Sequence, residues 1–265
     1  QGRPAGPVRR RSPWRLVLAA VAAFAVVSLV RVTTGAADLT SSGTVGAALA
    51  LGVPIALAGL GGLWSERSGV VNIGLEGMMV LGTWGAAWQG YYHGPWVGAL
   101  AGLGFGALGG LVHAIATVTF GVDQIVSGVA VNLIAPGLGL FLTKQIFATL
   151  PGGGQKQSPP LTDINHVTVP GVASGLKSVE DKHWFVVSDL AGLVRGLTNQ
   201  LSLFVVITIV LFGLTWYLLW RTPFGLRLRS CGEAPYAAES LGVNVIRYKY
   251  AAVLVSGAMA GLGGA

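Results

Sequence analysis

The stretch "SERSGVVNIGLEGMM", Ser65–Met79, puts a carboxamide and a carboxylate, Asn72 and Glu76, into an otherwise apolar run. A carboxylate inside a bilayer is costly unless it is paired, hydrated or protonated. At helical spacing Asn72, Glu76 and Thr83 fall on one face. Two uses fit. Glu76 faces a solute or water path, or it clamps the backbone of a broken helix, because "GVVNIG" carries Gly at both ends. A second polar set follows: Gln124, Gly128 and Asn132 are four residues apart, with Ser127 beside them. Such a stripe is either glue between helices or the other wall of a polar pathway.

A third region, "RTPFGLRLRSCGEAPYAAESLGVNVIRYKY" (Arg221–Tyr250), has different chemistry. Pro223 and Gly225 make a turn. Pro235 suits the first turn of a helix, and Glu233 lies near that helix's positive end. "YAAESLG" then reads as a short helix ended by Gly242. Ala237 and Ala238 leave a small, smooth surface that a soluble partner could grip. The other reading is a connecting loop whose charges only set topology.

Several chemistries are missing. No Lys follows a Gly, so no phosphate-binding Gly-Lys-Ser/Thr loop exists in the chain. His93, His113, His166 and His183 lack metal-ligand spacing. The lone Cys231 cannot form an intrachain disulfide. Ser127 before Gly128 faintly suggests an intramembrane serine protease, but no His stands at a matching place.

The elements that must position these residues are membrane spans. The chain has 265 residues, 52% hydrophobic and 10% charged, against about 25% charged in soluble domains. Its mean hydropathy is +0.67. Spans are expected at Arg15–Val30, Thr44–Trp64, Gly69–Trp88, Val97–Phe120, Gln124–Phe147, Leu201–Trp220 and from Tyr250 onward. The expected fold is therefore all-α and polytopic, with about seven spans visible. The last span stops without cap or flanking charge, which predicts a chain truncated at its C-terminus. A basic cytoplasmic tail, residues 1–14, precedes a membrane domain, 15–265. A cleaved signal peptide is the rival reading of that first segment.

Alternating the spans from a cytoplasmic start puts eleven basic and four acidic residues inside, and six basic and five acidic outside. The formal charge of +7 is then a topology signal, and nucleic acid drops out as a partner. Residues 149–199 form a long extracytoplasmic loop, in which "HWFVVSDLAGLVRGL" reads either as a short interfacial helix or as a connector. Residues 221–249 form a cytoplasmic loop. Gly98, Gly102, Gly106 and Gly110 make one close-packing ladder, and Gly257, Gly261 and Ala265 another. "ALAGLGG" at Ala56–Gly62 and "AMAGLGG" at Ala258–Gly264 hint at an inverted repeat. Trp84 and Trp88 either stack a planar solute or face lipid and the interface.

Together, "SERSGVVNIGLEGMM" and "RTPFGLRLRSCGEAPYAAESLGVNVIRYKYAAVLVSGAMAGLGGA" resemble the permease subunits of bacterial ABC importers. The branch serves branched-chain amino acids, simple sugars and nucleosides, and the first motif is most similar to the nucleoside and simple-sugar members. The resemblance runs from about Thr44 to the end. It implies a dimer with a second permease, cytoplasmic ATPase subunits that hold ATP and Mg, and an extracytoplasmic solute-binding protein. It implies no cofactor on this chain and a place in the bacterial cytoplasmic membrane with a cytoplasmic N-terminus. Glu233, Ala237, Ala238, Glu239 and Gly242 match the place of the family's ATPase-coupling helix, though not its full "EAA…G" form in other importers. Asn72, Glu76, Gln124 and Asn132 are the expected pathway or clamp residues. The basic tail lies outside the family pattern. The competing readings are a proton-coupled secondary transporter using Glu76, and a structural membrane subunit that moves nothing.

Overall fold

A computed structural model describes residues 13–162, 164, 166–168, 171–182 and 184–265. Most of the expected basic tail, together with Asp163 and His183, lies outside the described residues. The described chain is helical: α1 (Pro13–Thr34), α2 (Ser42–Arg67), α3 (Leu75–His93), α4 (Pro95–Ala114), α5 (Gln124–Ile146), α6 (Val172–Glu180), α7 (Val187–Gly196), α8 (Leu203–Arg221), α9 (Pro223–Glu233), α10 (Pro235–Ser240) and α11 (Val245–Gly264). Two strands of two residues, His166–Val167 and Leu201–Ser202, are the only β-structure among the described residues. Within the stretch after His183 where a short helix was one of the two readings, α7 forms.

Among the described residues, five helices are long and apolar enough to cross a membrane: Leu16–Thr34, Ser42–Arg67, Pro95–Thr119, Gln124–Thr149 and Leu203–Arg221. Seven spans were expected. The other two, α3 and α11, are 19 and 20 residues long but fall short in hydropathy. Packing gives the reason. Helix α4 packs along both α3 and α11, and α3 also packs against α11 and α5. A helix that meets protein on most sides does not need a lipid-facing surface.

Described residues of 50–165 and 202–265 form one compact unit. Here the two glycine ladders meet each other. A Cβ at Gly110 would lie 2.7 Å from the Val253 carbonyl, and one at Gly102 would lie 2.7 Å from Ala265 Cβ and 3.2 Å from the Gly82 and Gly261 carbonyls. Only the lack of side chains lets these backbones approach so closely. The two "A-x-A-G-L-G-G" segments also face each other on antiparallel courses. Gly61 of α2 sits against Ser256 of α11, and Gly263 against Pro54. At one end of this unit Arg67 and Arg229 lie over the Trp220 ring, and Arg221 over Trp216. Guanidinium and indole groups gather this way where a bundle leaves the hydrocarbon.

Described residues of 1–49 and 166–201 form the other unit. Its centre is Asp189 of α7, fully buried, which receives hydrogen bonds from Ser28 and Thr40. Arg31 of α1 grips the same carboxylate with Nε at 2.7 Å and Nη2 at 3.2 Å. Burial pushes the Asp189 carboxyl up, but the two hydroxyls and the guanidinium more than offset it and hold it below the usual range. Glu180 of α6 behaves alike. Burial raises it, while the Ser42 N–H at 2.8 Å and Arg195 at 2.5 Å bring it down further.

Candidate functional site

The expected break in the Gly69–Trp88 span is real, and it is longer than a kink. Helix α2 ends at Arg67, α3 starts at Leu75, and residues 70–73 between them belong to no helix or strand. Gly69 turns the chain with φ at +81°, a region that favours glycine. Its Cα also stands where a Cβ would come within 3.0 Å of Gly232 Cα.

A non-helical backbone inside a bundle must find partners for its polar groups. The Val70 N–H bonds the Ser65 carbonyl at 3.2 Å, and several other partners are side chains. Ser65 Oγ donates to the Val70 carbonyl at 2.6 Å. Gln124 Oε1 accepts from Val71 N–H at 2.7 Å, and its Nε2 reaches the Gly69 carbonyl at 3.5 Å. His113 Nε2 lies 3.3 Å from the Val71 carbonyl, while its Nδ1 lies 2.9 Å from Ser127 Oγ. Asn132 Nδ2 donates to the Ile73 carbonyl at 2.9 Å, and its Oδ1 accepts from Gly77 N–H at 2.7 Å. Asn72 closes the segment on itself, accepting from Gly74 N–H at 3.0 Å, and ties it to α11 by donating to Ser256 Oγ at 2.9 Å.

The polar stripe on α5 therefore reads the break like a ruler. Eight helical steps lead from Gln124 to Asn132, about 12 Å of rise, and the non-helical segment lies alongside. Gly128, midway, allows the approach: a Cβ there would lie 2.9 Å from Gly74 N. The spacing was legible, but its partner was not. His113 and Ser256 are further members, both fully buried. A titratable ring inside an apolar span was the signal for His113; Ser256 gave none.

Glu76 is placed differently from the clamp expectation. Asn72 lies outside the helix, so the shared face of Asn72, Glu76 and Thr83 does not form. The Glu76 side chain is exposed in the first turn of α3 and makes no hydrogen bond among the described residues. A negative charge at that end is favoured by the helix dipole. Thr83, further along α3, donates to carbonyls of Met79 and Gly264.

Two cavities flank this frame. One of about 430 Å³ opens beside the break, lined by Val71, Ile73, Thr117, Asp123 and Gln124 among others. The second, about 370 Å³, lies between α3, α5 and the segment that follows α5. Its wall includes Trp84, which faces neither lipid nor interface. The ring is 7% exposed and stacks on Phe147 at 6.0 Å with 22° between planes.

The α9–α10 region is a helical corner. Pro235 occupies the first turn of α10, and Gly242 ends it at φ +81°. Gly242 N–H bonds the Glu239 carbonyl and Val243 N–H the Ala238 carbonyl, a paired C-terminal cap. Ala238 points inward and is 3% exposed, whereas Tyr236 and Leu241 are 86% and 85% exposed. Ala237, Glu239 and Gly242 share the outer side with them, and Glu233 is exposed at the end of α9. Nearby Cys231 is buried, and burial raises its thiol pKa despite Lys249.

Comparison with known proteins adds to this geometry. The family model described as "Branched-chain amino acid transport system / permease component" matches residues 44–265. A guanosine ABC transporter permease from Bacillus subtilis is 37% identical over 82% of this chain and 64% of its own. A nucleoside ABC transporter permease from Lactococcus lactis is 37% identical over 80% and 62%. A putative glucose ABC transporter permease from Haloferax volcanii is 32% identical over 85% and 62%. The chain thus spans a little under two thirds of the length of these relatives. No solved structure matches it. With the break, its amide partners and the exposed α10 all inside the matched residues, the chain belongs to the family of branched-chain amino acid transport system permease components, multi-pass proteins of the membrane.

Proposed function

We propose that this chain is the membrane-spanning permease of an ATP-driven importer for nucleosides or simple sugars, working by alternating access. Its relatives' names supply the solute classes. In this reading ATP and Mg sit on cytoplasmic ATPase subunits, a second permease completes the pathway, and an extracytoplasmic protein delivers the solute. The N-terminus and residues 221–249 face the cytoplasm. Asn72, Gln124 and Asn132 frame the pathway wall by holding the break, with Glu76 at its rim.

The observation that carries the reading is α10. Two large apolar side chains, Tyr236 and Leu241, are almost wholly exposed on a six-residue helix that is otherwise capped and anchored by buried Ala238. A short rigid helix with an apolar outer side fits a groove on a soluble partner. Ala237 and Glu239 belong to that outer side, Ala238 seats it, and Gly242 ends it.

The test is Ala237→Trp in the assembled transporter. Overpacking a tight contact costs about 1–3 kcal/mol, so ATPase co-purification should fall by roughly one to two powers of ten at limiting concentration. Ile55→Trp, at a residue 76% exposed on α2, should retain the ATPase. Glu76→Gln should keep ATP-dependent uptake of guanosine or glucose. Uptake that survives ATPase loss but disappears in Glu76→Gln identifies a proton-coupled carrier instead.

A further inference from the structure

We infer that the cavity between α3, α5 and residues 147–158 is a binding site for a nucleoside, taking the flat base between apolar walls in preference to a free sugar. This rests on the importer reading above and sharpens its solute class. The cavity, about 370 Å³, falls within the range of small-molecule sites. Its walls are chiefly apolar, from Val80, Ala87, Pro136 and Leu140, and no carboxylate lines it.

The aromatic side of the wall is rigid. Trp84 stacks on Phe147, sits 5.3 Å from Trp88 and meets Phe105 edge-on at 5.5 Å. Its indole Nε1–H is buried without an acceptor among the described residues. A buried indole N–H usually has one, and a heterocycle's ring nitrogen or carbonyl would supply it.

The polar groups suit one edge of a base. Thr143 Oγ1 donates to the Gly139 carbonyl at 2.8 Å, and Thr83 Oγ1 to the carbonyls of Met79 and Gly264. With their hydrogens committed, both hydroxyls remain as acceptors, matched to ring N–H and exocyclic amino donors. Lys156, Gln157 and Ser158 complete the lining and supply donors for ribose oxygens. A free hexose presents hydroxyls on nearly every side, and each one buried against Val80, Ala87 or Pro136 would lose its water without a partner. A base loses little on the same walls, because both of its faces are apolar.

The experiment uses the assembled transporter carrying Cys231→Ala with Thr143→Cys, and measures the rate of labelling by a small maleimide. Guanosine at about ten times its apparent Kd should slow labelling about tenfold, because that occupancy leaves about one site in ten open. Glucose at equal concentration should leave the rate unchanged. Gln157→Cys, on the loop wall, carries the same measurement if Thr143→Cys fails to assemble. Unprotected labelling in a transporter that still imports guanosine overturns the site and leaves the importer reading standing. Protection by glucose and not guanosine overturns the preference for a base. A transporter that imports neither solute and shows no protection overturns both readings.

Discussion

Along α5, the non-helical backbone of residues 69–74 is held by amides, hydroxyls and one imidazole: Gln124, Asn132, Asn72, Ser65 and His113. In the unit of residues 1–49 and 166–201, the comparable work is done by charges: Arg31 on Asp189 and Arg195 on Glu180. The difference follows from solvent. A neutral amide costs far less to bury than an ion, and a single Asn or Gln carries both a donor and an acceptor. It can therefore satisfy an N–H and a C=O of the same segment, as Asn132 does for Gly77 and Ile73. Among the described residues, ion pairs join the last turn of α1 to α7 and α6 to α7, at or beyond the end of an apolar span. There the charged hydrogen bonds of a two-pronged guanidinium tie a loop down more firmly.

Replacing one partner of the buried pair should break this contrast most. Arg31→Met leaves Asp189 buried with its charge uncompensated, at a cost of about 3–5 kcal/mol to that unit. Thermal unfolding in detergent should show an early transition that the wild type lacks. An unchanged melting curve would mean that the Asp189 hydroxyl partners suffice alone.

Next comes the amide side. Asn132→Leu keeps the volume but orphans Gly77 N–H and the Ile73 carbonyl. At about 1–3 kcal/mol for each group left unpaired, the main transition should fall by several degrees. A silent Asn132→Leu would show that packing, rather than the α5 amides, holds the break.

The smallest expected effect is in pH. Glu180 and Asp189 both have lowered pKa values in the folded chain. Their stabilisation is thus fully present above the unfolded values near 4 and lost as pH falls through the lower folded values. The Tm should decline below about pH 4, and Asp189→Asn should flatten that decline. An acid sensitivity identical in Asp189→Asn would locate it elsewhere. Glu180 adds little, because its pair with Arg195 is partly exposed.

Much of the frame was legible from residue order. Low charge and long apolar runs gave a membrane protein. Gly69 and Gly74 bracketed a break that the backbone does make, and Pro235 with Gly242 marked the ends of α10 within a residue or two. The two motifs pointed to the family. These features are local: φ preferences, missing N–H groups and hydropathy act within a few residues and need no distant partner.

Which surface meets which was decided only by the tertiary structure. The stripe of Gln124, Gly128 and Asn132 had a face but no address until the non-helical segment lay against it. Lipid and a packed helix are both apolar, so hydropathy could not say that Trp84 turns inward or that Ala238 is buried. For the same reason α3 and α11, the least apolar of the expected spans, were not recognisable as helices at the centre of the bundle. Periodicity sets the direction of a side chain relative to its own helix. The atom it reaches depends on the path of the whole chain.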